Sequence, residues 1–173
     1  LKRALESKLL EAIKQYKVVI LTGMRQSGKS TLLRHLFPDR RYVTLDDPFL
    51  ENQARQNGDL FLQFNAPPVT IDEVQYAGEL FRYIKLYCDN SDERGLFCLS
   101  GSQPFNLRKN VTESLAGRAC ILEMSNMSLR EIQGDEFSEA FIPTIDYIKS
   151  RQSSAVKPQS IWNVIHRGGY PEL

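Results

Sequence analysis

Short apolar runs recur along the chain, separated by stretches in which apolar residues return every three or four positions. Leu5, Leu9, Ile13 and Tyr16 stand close to helical spacing, with Lys2, Arg3, Lys8 and Lys14 largely off that stripe. The spacing predicts a helix over Leu1 to Tyr16 that packs on a sheet through one face. Val18-Val19-Ile20-Leu21 reads as a buried strand, and Thr31 to Phe37 as a helix stopped by Pro38. Arg40 to Leu45 is a second strand. Phe49 to Phe64 is helical in two pieces, broken near Asn57-Gly58 and ended by Ala66-Pro67-Pro68. Val69-Thr70-Ile71 makes a third strand, Gly95 to Ser100 a fourth and Ala119 to Met124 a fifth. Between these, Leu80, Ile84, Tyr87 and Cys88 place a helix over Gln75 to Asp89, and the polar segment from Phe105 to Gly117 holds another. Further on, Ser128-Leu129-Arg130-Glu131 has capping-box spacing. Helices are expected over Thr144 to Arg151 and Ile161 to His166, with the polar link Gln152 to Gln159 between them.

Five strands alternating with helices imply an α/β fold, a doubly wound parallel sheet with right-handed crossovers. In such sheets ligands bind beyond the carboxyl ends of the strands, so the residues that follow each apolar run carry the chemistry. After the first strand comes Gly23-Met24-Arg25-Gln26-Ser27-Gly28-Lys29-Ser30, which reads as a phosphate-binding loop opening a helix. The two glycines let the loop fold back so that consecutive backbone N–H groups point at phosphate oxygens, and the helix presents its positive end. Lys29 would reach the β- and γ-phosphates, and Ser30 would hold Mg²⁺.

The third strand delivers Asp72 and Glu73 side by side. That pair fits a phosphoryl-transfer site in which the first acid orients Mg²⁺ and the second activates an attacking water. Glu73 favours a hydrolase over a small-molecule kinase, which needs no water-activating acid at this point. The fourth strand ends in Gly101-Ser102-Gln103, where a polar side chain either senses the γ-phosphate or simply turns the chain before Pro104. Asp46-Asp47-Pro48, after the second strand, reads either as acids at the mouth of the site or as a helix cap with proline in the first turn. Arg118, just before the fifth strand, either neutralises charge on the transferring phosphoryl group, in its own subunit or a neighbour's, or serves as a structural ion-pair partner. His35 and His166 have no acid or cysteine constellation around them and read as surface or packing residues. A water-activating acid together with a separate polar-tipped strand suggests an extra strand between the loop strand and the Asp72 strand.

Composition narrows the partners. The 22 basic and 21 acidic side chains nearly cancel, so no general field recruits nucleic acid or an anionic membrane. Cys88, Cys98 and Cys120 lie far apart in apolar surroundings and read as buried thiols in a reducing cytoplasm. No apolar run approaches a membrane span, and nothing near Leu1 resembles a secretory signal. The 173 residues leave room for one domain, and the absence of an initiating Met raises the expectation of a fragment.

Several stretches together resemble the predicted AAA+ superfamily ATPases of bacteria and archaea, in which an ATPase core usually precedes a separate C-terminal domain. They are Leu21 to Ser30, Leu45-Asp46-Asp47-Pro48, Ile71-Asp72-Glu73-Val74-Gln75, Leu99-Ser100-Gly101-Ser102-Gln103, Ser114-Leu115-Ala116-Gly117-Arg118 and Arg167-Gly168-Gly169-Tyr170-Pro171-Glu172. Met24 stands where that family often has proline, as does the turn near Asn126. The resemblance implies a P-loop three-layer sandwich with strand order 5-1-4-3-2, an ATPase core over residues 1–131 and a helical extension over 132–173 leading to a further domain. It implies nucleotide contacts from Gly23 through Thr31, Walker A roles for Gly28, Lys29 and Ser30, Walker B roles for Asp72 and Glu73, and a sensor at Ser102 or Gln103. ATP and Mg²⁺ are the expected cofactors, with Lys29, Glu73 and Arg118 as catalytic groups and Ser30 and Asp72 on the metal. The expected activity is ATP hydrolysis; the alternative is an ATP-gated interaction module with little turnover. A homo-oligomer through Arg118 and an unidentified protein partner complete the expectation.

Overall fold

A computed structural model of the chain describes residues 2–102, 114–134, 142–154 and 161–171. Its centre is a parallel sheet of β1 (Val18–Gly23), β2 (Arg41–Thr44), β3 (Val69–Asp72), β4 (Phe97–Gly101) and β5 (Ala119–Met124). The strands lie in the order β2-β3-β4-β1-β5, the order expected, with β4 inserted between the loop strand and the Asp72 strand. The helices are α1 (Glu6–Gln15), α2 (Lys29–Leu36), α3 (Pro48–Gln56), α4 (Gly58–Phe64) and α5 (Leu80–Asp89), followed by α6 (Leu129–Gln133), α7 (Ile145–Ser154) and α8 (Ile161–Arg167).

Every residue of β1 is buried. A strand paired on both sides and covered on both faces has no solvated position, which is why its sequence is an unbroken apolar run. Its side chains alternate between two layers. Val18 and Ile20 pack with Phe61, Leu62, Leu80, Phe81 and Ile84 of α4 and α5. Val19 and Leu21 pack with Leu9, Ala12, Leu32 and Leu33 of α1 and α2. Each such side chain contributes about 1.5–3 kcal/mol on burial, so the two layers clamp β1 from both faces and fix the point at which its carboxyl end emerges.

Among the boundaries that differ from the periodicity by a few residues, three have a clear local reason. Helix α1 starts at Glu6, because the residues before it are held by other partners; the Arg3 N–H donates to Glu6 Oε1 (2.7 Å) and the Ala4 N–H to Glu131 Oε1 (2.8 Å). Helix α2 starts earlier, at Lys29, with Gly28 as its left-handed first cap (φ 91°). After β3 the chain turns through Glu73 at φ 55° and a single 3₁₀ turn, Val74–Tyr76, so α5 begins only at Leu80. The helix expected between Phe105 and Gly117 falls largely outside the described residues.

The capping box at Ser128 and Glu131 forms in full. Cys88 and Cys98 are buried and Cys120 is half-buried, and none is paired. Burial raises the Cys98 thiol to about 12 and the Cys88 thiol to about 11, so neither is a ready nucleophile. Among the described residues no helix is long and apolar enough to cross a membrane.

Candidate functional site

Five strands ending together at one edge bring the loop after β1 next to Asp72 of β3 and the end of β4. The loop leaves the sheet at Gly23, whose φ of 154° and backbone contact leave no room for a side chain; a Cβ there would stand 2.2 Å from the Met124 carbonyl oxygen. The loop closes on α2 without any side-chain cap, so the first N–H groups of that helix keep their free donors for a bound anion. Lys29 is buried along the loop, its Nζ donating to the carbonyls of Gly23 (3.0 Å) and Met24 (2.8 Å). Burial lowers its pKa, while the nearby carboxylates of Glu73 and Asp72 favour its charged form. Ser27 turns inward, its Oγ donating to the Met24 carbonyl at 2.8 Å.

Asp72 is the best-connected acid of the site. Ser30 Oγ and the Tyr42 hydroxyl donate to Oδ2, the former at 2.6 Å, while Ser100 Oγ and the Glu73 N–H donate to Oδ1, the latter at 3.0 Å. Burial alone would raise the Asp72 pKa; the bonds from Ser100, Ser30, Tyr42 and the Glu73 amide outweigh it and hold the carboxyl below its ordinary value. Burial, reinforced by the bond to Asp72, raises the Tyr42 phenol to about 12, which keeps it a neutral donor. Arg34 stacks over the Tyr42 ring at 4.0 Å. Asp72→Ala should cost about 1–3 kcal/mol of stability at neutral pH, because the buried Ser100 hydroxyl and the half-buried Ser30 and Tyr42 hydroxyls lose their acceptor. Since the folded pKa is depressed, this contribution is complete above the usual carboxylate pKa of about 4 and is lost as pH falls through the folded value. Urea unfolding of both proteins across pH should give a constant gap near neutrality that narrows only in acid; a gap that widened in acid would contradict this assignment.

Glu73 lies beside this cluster on a left-handed backbone (φ 55°), a conformation uncommon for a residue with a side chain. Gln75 Nε2 donates to its Oε2, and Ser102 Oγ does so at 3.3 Å. The carbonyl oxygen of the Gln75 amide is left buried without a partner. Arg25, Gln26, Gly28, Lys29, Ser30, Thr31 and Glu73 line one cavity of about 1070 Å³, along with Arg3, His35, Asp46, Met127 and Pro171. That volume is ample for a nucleoside triphosphate. Met24 is exposed on the outer side of the loop (59%). Asp47 caps α3, accepting from the Phe49 N–H at 2.8 Å, while Asp46 reaches the cavity wall, so the two readings of that pair divide between its members.

Gln103 lies outside the described residues. Among the described candidates, Arg118 is not brought to this edge of the sheet. Arg118 sits at the opposite, amino edge of the sheet, where its carbonyl accepts from the Val18 N–H (3.2 Å) and its Nε pairs with Asp89 Oδ1 (2.6 Å). The six residues of β5 separate it from the loop edge by about 20 Å at 3.3 Å per residue. A role for Arg118 in its own subunit's site is therefore corrected by the sheet topology. Conversely, the sequence reading missed Tyr42, Ser100, Gln75 and Arg3. For Ser100 the register held a signal: Ile71 pairs with Leu99, so the next residue of β4 falls beside Asp72.

A hard cation fits the residues present. Ser30 and Asp72 bring a hydroxyl and a carboxylate within 2.6 Å of each other, an oxygen donor set suited to Mg²⁺ with its remaining positions left to water and phosphate.

A family model described as AAA domain matches residues 15–133. Uncharacterized proteins of Mycobacterium tuberculosis and Mycobacterium bovis are each 32% identical over 135 residues, covering 76% of this chain and 30% of their own length. The chain thus spans less than a third of these curated relatives. Among solved structures, a Walker-type ATPase of Pyrococcus abyssi superposes with a TM-score of 0.54 at 19% identity, over 96% of this chain and 63% of that one. At that identity the likeness speaks for the fold.

Proposed function

The chain belongs to the AAA domain family, and on that premise we propose that it is a Mg²⁺-dependent ATPase that hydrolyses the β–γ bond of ATP and couples nucleotide state to conformation. The observation that carries the reading is the Ser30–Asp72 bond of 2.6 Å, which joins the phosphate loop to the acid strand with Glu73 next in line. In this reading the N–H groups from Gln26 to Thr31 and the Lys29 ammonium hold phosphate oxygens, and Glu73 takes a proton from the attacking water. Ser102, already bonded to Glu73, or else Gln103 reports the γ-phosphate. Ser30 and Asp72 would hold Mg²⁺, which when bound would supply charge neutralisation on the phosphate oxygens. Arg118 would act on the site of a neighbouring copy.

The domain division is part of the same proposal: residues 1–131 as the ATPase core and 132–173 as an extension toward a further domain, with a cytoplasmic setting. A strap from the extension supports coupling. The Met127 N–H donates to the Gly169 carbonyl at 2.7 Å, and Pro171 lines the cavity, 3.5 Å from a Cβ built on Gly28. Through Pro171 the extension thus reaches the wall of the nucleotide site.

A second reading, an ATP-gated interaction module with little turnover, draws on the hold that Gln75 and Ser102 keep on Glu73. Phosphate release separates the two. Wild-type protein with ATP should release phosphate in Mg²⁺ and fall by about 10²-fold when EDTA removes the metal. ATP binding without metal-dependent release would overturn the ATPase reading and leave the module.

A further inference from the structure

Arg3 lies before the first helix and well ahead of the phosphate loop in sequence, off the apolar stripe, where an arginine is expected to be solvated. Yet it is only 8% exposed, and its guanidinium is shared among three segments. Nε donates to Glu131 Oε1 (2.9 Å), Nη2 to the Ser125 carbonyl (2.7 Å) and Nη1 to the Ser27 carbonyl (2.7 Å). The first bond neutralises the buried charge and the second ties the end of β5. The third falls inside the phosphate loop, on the peptide that precedes Gly28.

We propose that Arg3 is a positioning residue of the phosphate loop, which fixes the Ser27–Gly28 peptide so that the Gly28 N–H is held toward a bound phosphate. The proposal rests on the nucleotide-binding reading above. A trans peptide is planar, with its carbonyl and N–H on opposite sides. Pinning the Ser27 oxygen to the guanidinium therefore turns the Gly28 N–H away from Arg3. Such a pin is needed at this peptide more than at its neighbours. Gly28 stands at φ 91°, and without a Cβ it lets the preceding peptide rotate at little steric cost. The Ser27 N–H and Oγ both donate back to the Met24 carbonyl, so the loop's own bonds hold the other side of Ser27 and leave its carbonyl to an outside donor.

The residue type fits the task. A guanidinium presents its donors in a rigid fork and never loses its charge, whereas a lysine ammonium is a point donor on a flexible stem. Only the fork can serve Ser27, Ser125 and Glu131 at once. Glu131 is itself committed on both oxygens: Oε1 takes Arg3 and the Ala4 N–H, and Oε2 takes the Ser128 N–H (2.7 Å) and Oγ (3.0 Å). The capping box of α6 is therefore also the anchor of the arginine, and the N-terminal segment, the phosphate loop and the β5–α6 connection are set by one side chain.

Calorimetric binding of ADP and of pyrophosphate, run beside thermal melting, tests the proposal with wild type and Arg3→Ala. At a temperature where both are folded, Arg3→Ala should bind both ligands at least about tenfold more weakly, the scale of a lost preorganised donor. Methylguanidinium below denaturing concentration should refill the cavity and recover much of that affinity, and should leave wild type unchanged. If Arg3→Ala does not fold, Arg3→Lys keeps the stem and charge but lacks the fork, and carries the same expectation. Wild type that binds ADP while the variant matches it within about twofold overturns the positioning role and spares the nucleotide reading. Recovery of melting temperature by methylguanidinium without recovery of affinity makes Arg3 a structural residue only and also overturns it. Wild type that binds neither ligand sinks both.

Discussion

Glu73→Gln should bind ATP with wild-type affinity and turn it over about 10²–10⁴-fold more slowly, the range for loss of a positioned general base. The two side chains have the same shape, and the substituted amide keeps an oxygen for the Gln75 and Ser102 donors that meet Glu73 now. It lacks only the capacity to take a proton. The left-handed turn at φ 55° sets Glu73 beside Asp72 and Lys29 with only its backbone N–H, not its carboxylate, bonded to Asp72, so changing the side chain leaves the bonds of Ser30, Ser100 and Tyr42 in place. Single-turnover phosphate release, with ATP affinity measured on the same samples, reads the effect. Equal affinity with stalled release supports Glu73 as the base. Equal release in both proteins removes it from the chemistry, and a parallel fall in affinity would mean that the loop itself had moved.

The contrast between Glu73 and Tyr42 shows what was legible before the structure. The five strands and the meeting of Lys29, Ser30, Asp72 and Glu73 at one sheet edge follow from local signals: unbroken apolar runs for strands buried on both faces, glycines where backbone approaches backbone, acids at a strand end; the full strand order was implied by the family resemblance. Tyr42 and Ser100 reach Asp72 from the flanking strands, and nothing in their own neighbourhoods marks them. Their role depends on register, a long-range property that emerges only once β2 and β4 are set on either side of β3. Arg3 was hidden for the same reason and one more. An arginine off the apolar stripe of a predicted helix reads as solvated, and the loop carbonyl that buries it lies 24 positions along the chain. Gly169 and Pro171 were recognisable as part of a motif, but their contact with the loop edge is again a matter of chain return.

Arg118→Ala should lower turnover by about 10³-fold or more with ATP affinity almost unchanged, the signature of an arginine supplied across a subunit interface. The placement of Arg118 makes this the discriminating experiment. With the length of β5 between it and its own loop, it has no route to phosphate within the chain, so any catalytic effect must come from a second copy. Loss of the ion pair to Asp89 does not confuse the outcome. Both partners are about a third exposed, at 32% and 38%, and pairs of that kind contribute roughly 0–1 kcal/mol. The variant should therefore melt close to wild type. Turnover per wild-type chain should also rise with protein concentration as copies associate, and mixing Arg118→Ala with Glu73→Gln should regenerate sites that pair the intact loop of one with the intact arginine of the other. Turnover that is independent of concentration and untouched by Arg118→Ala would return Arg118 to a surface ion pair, and the charge on the transferring phosphoryl group would then rest on Lys29 and the loop alone.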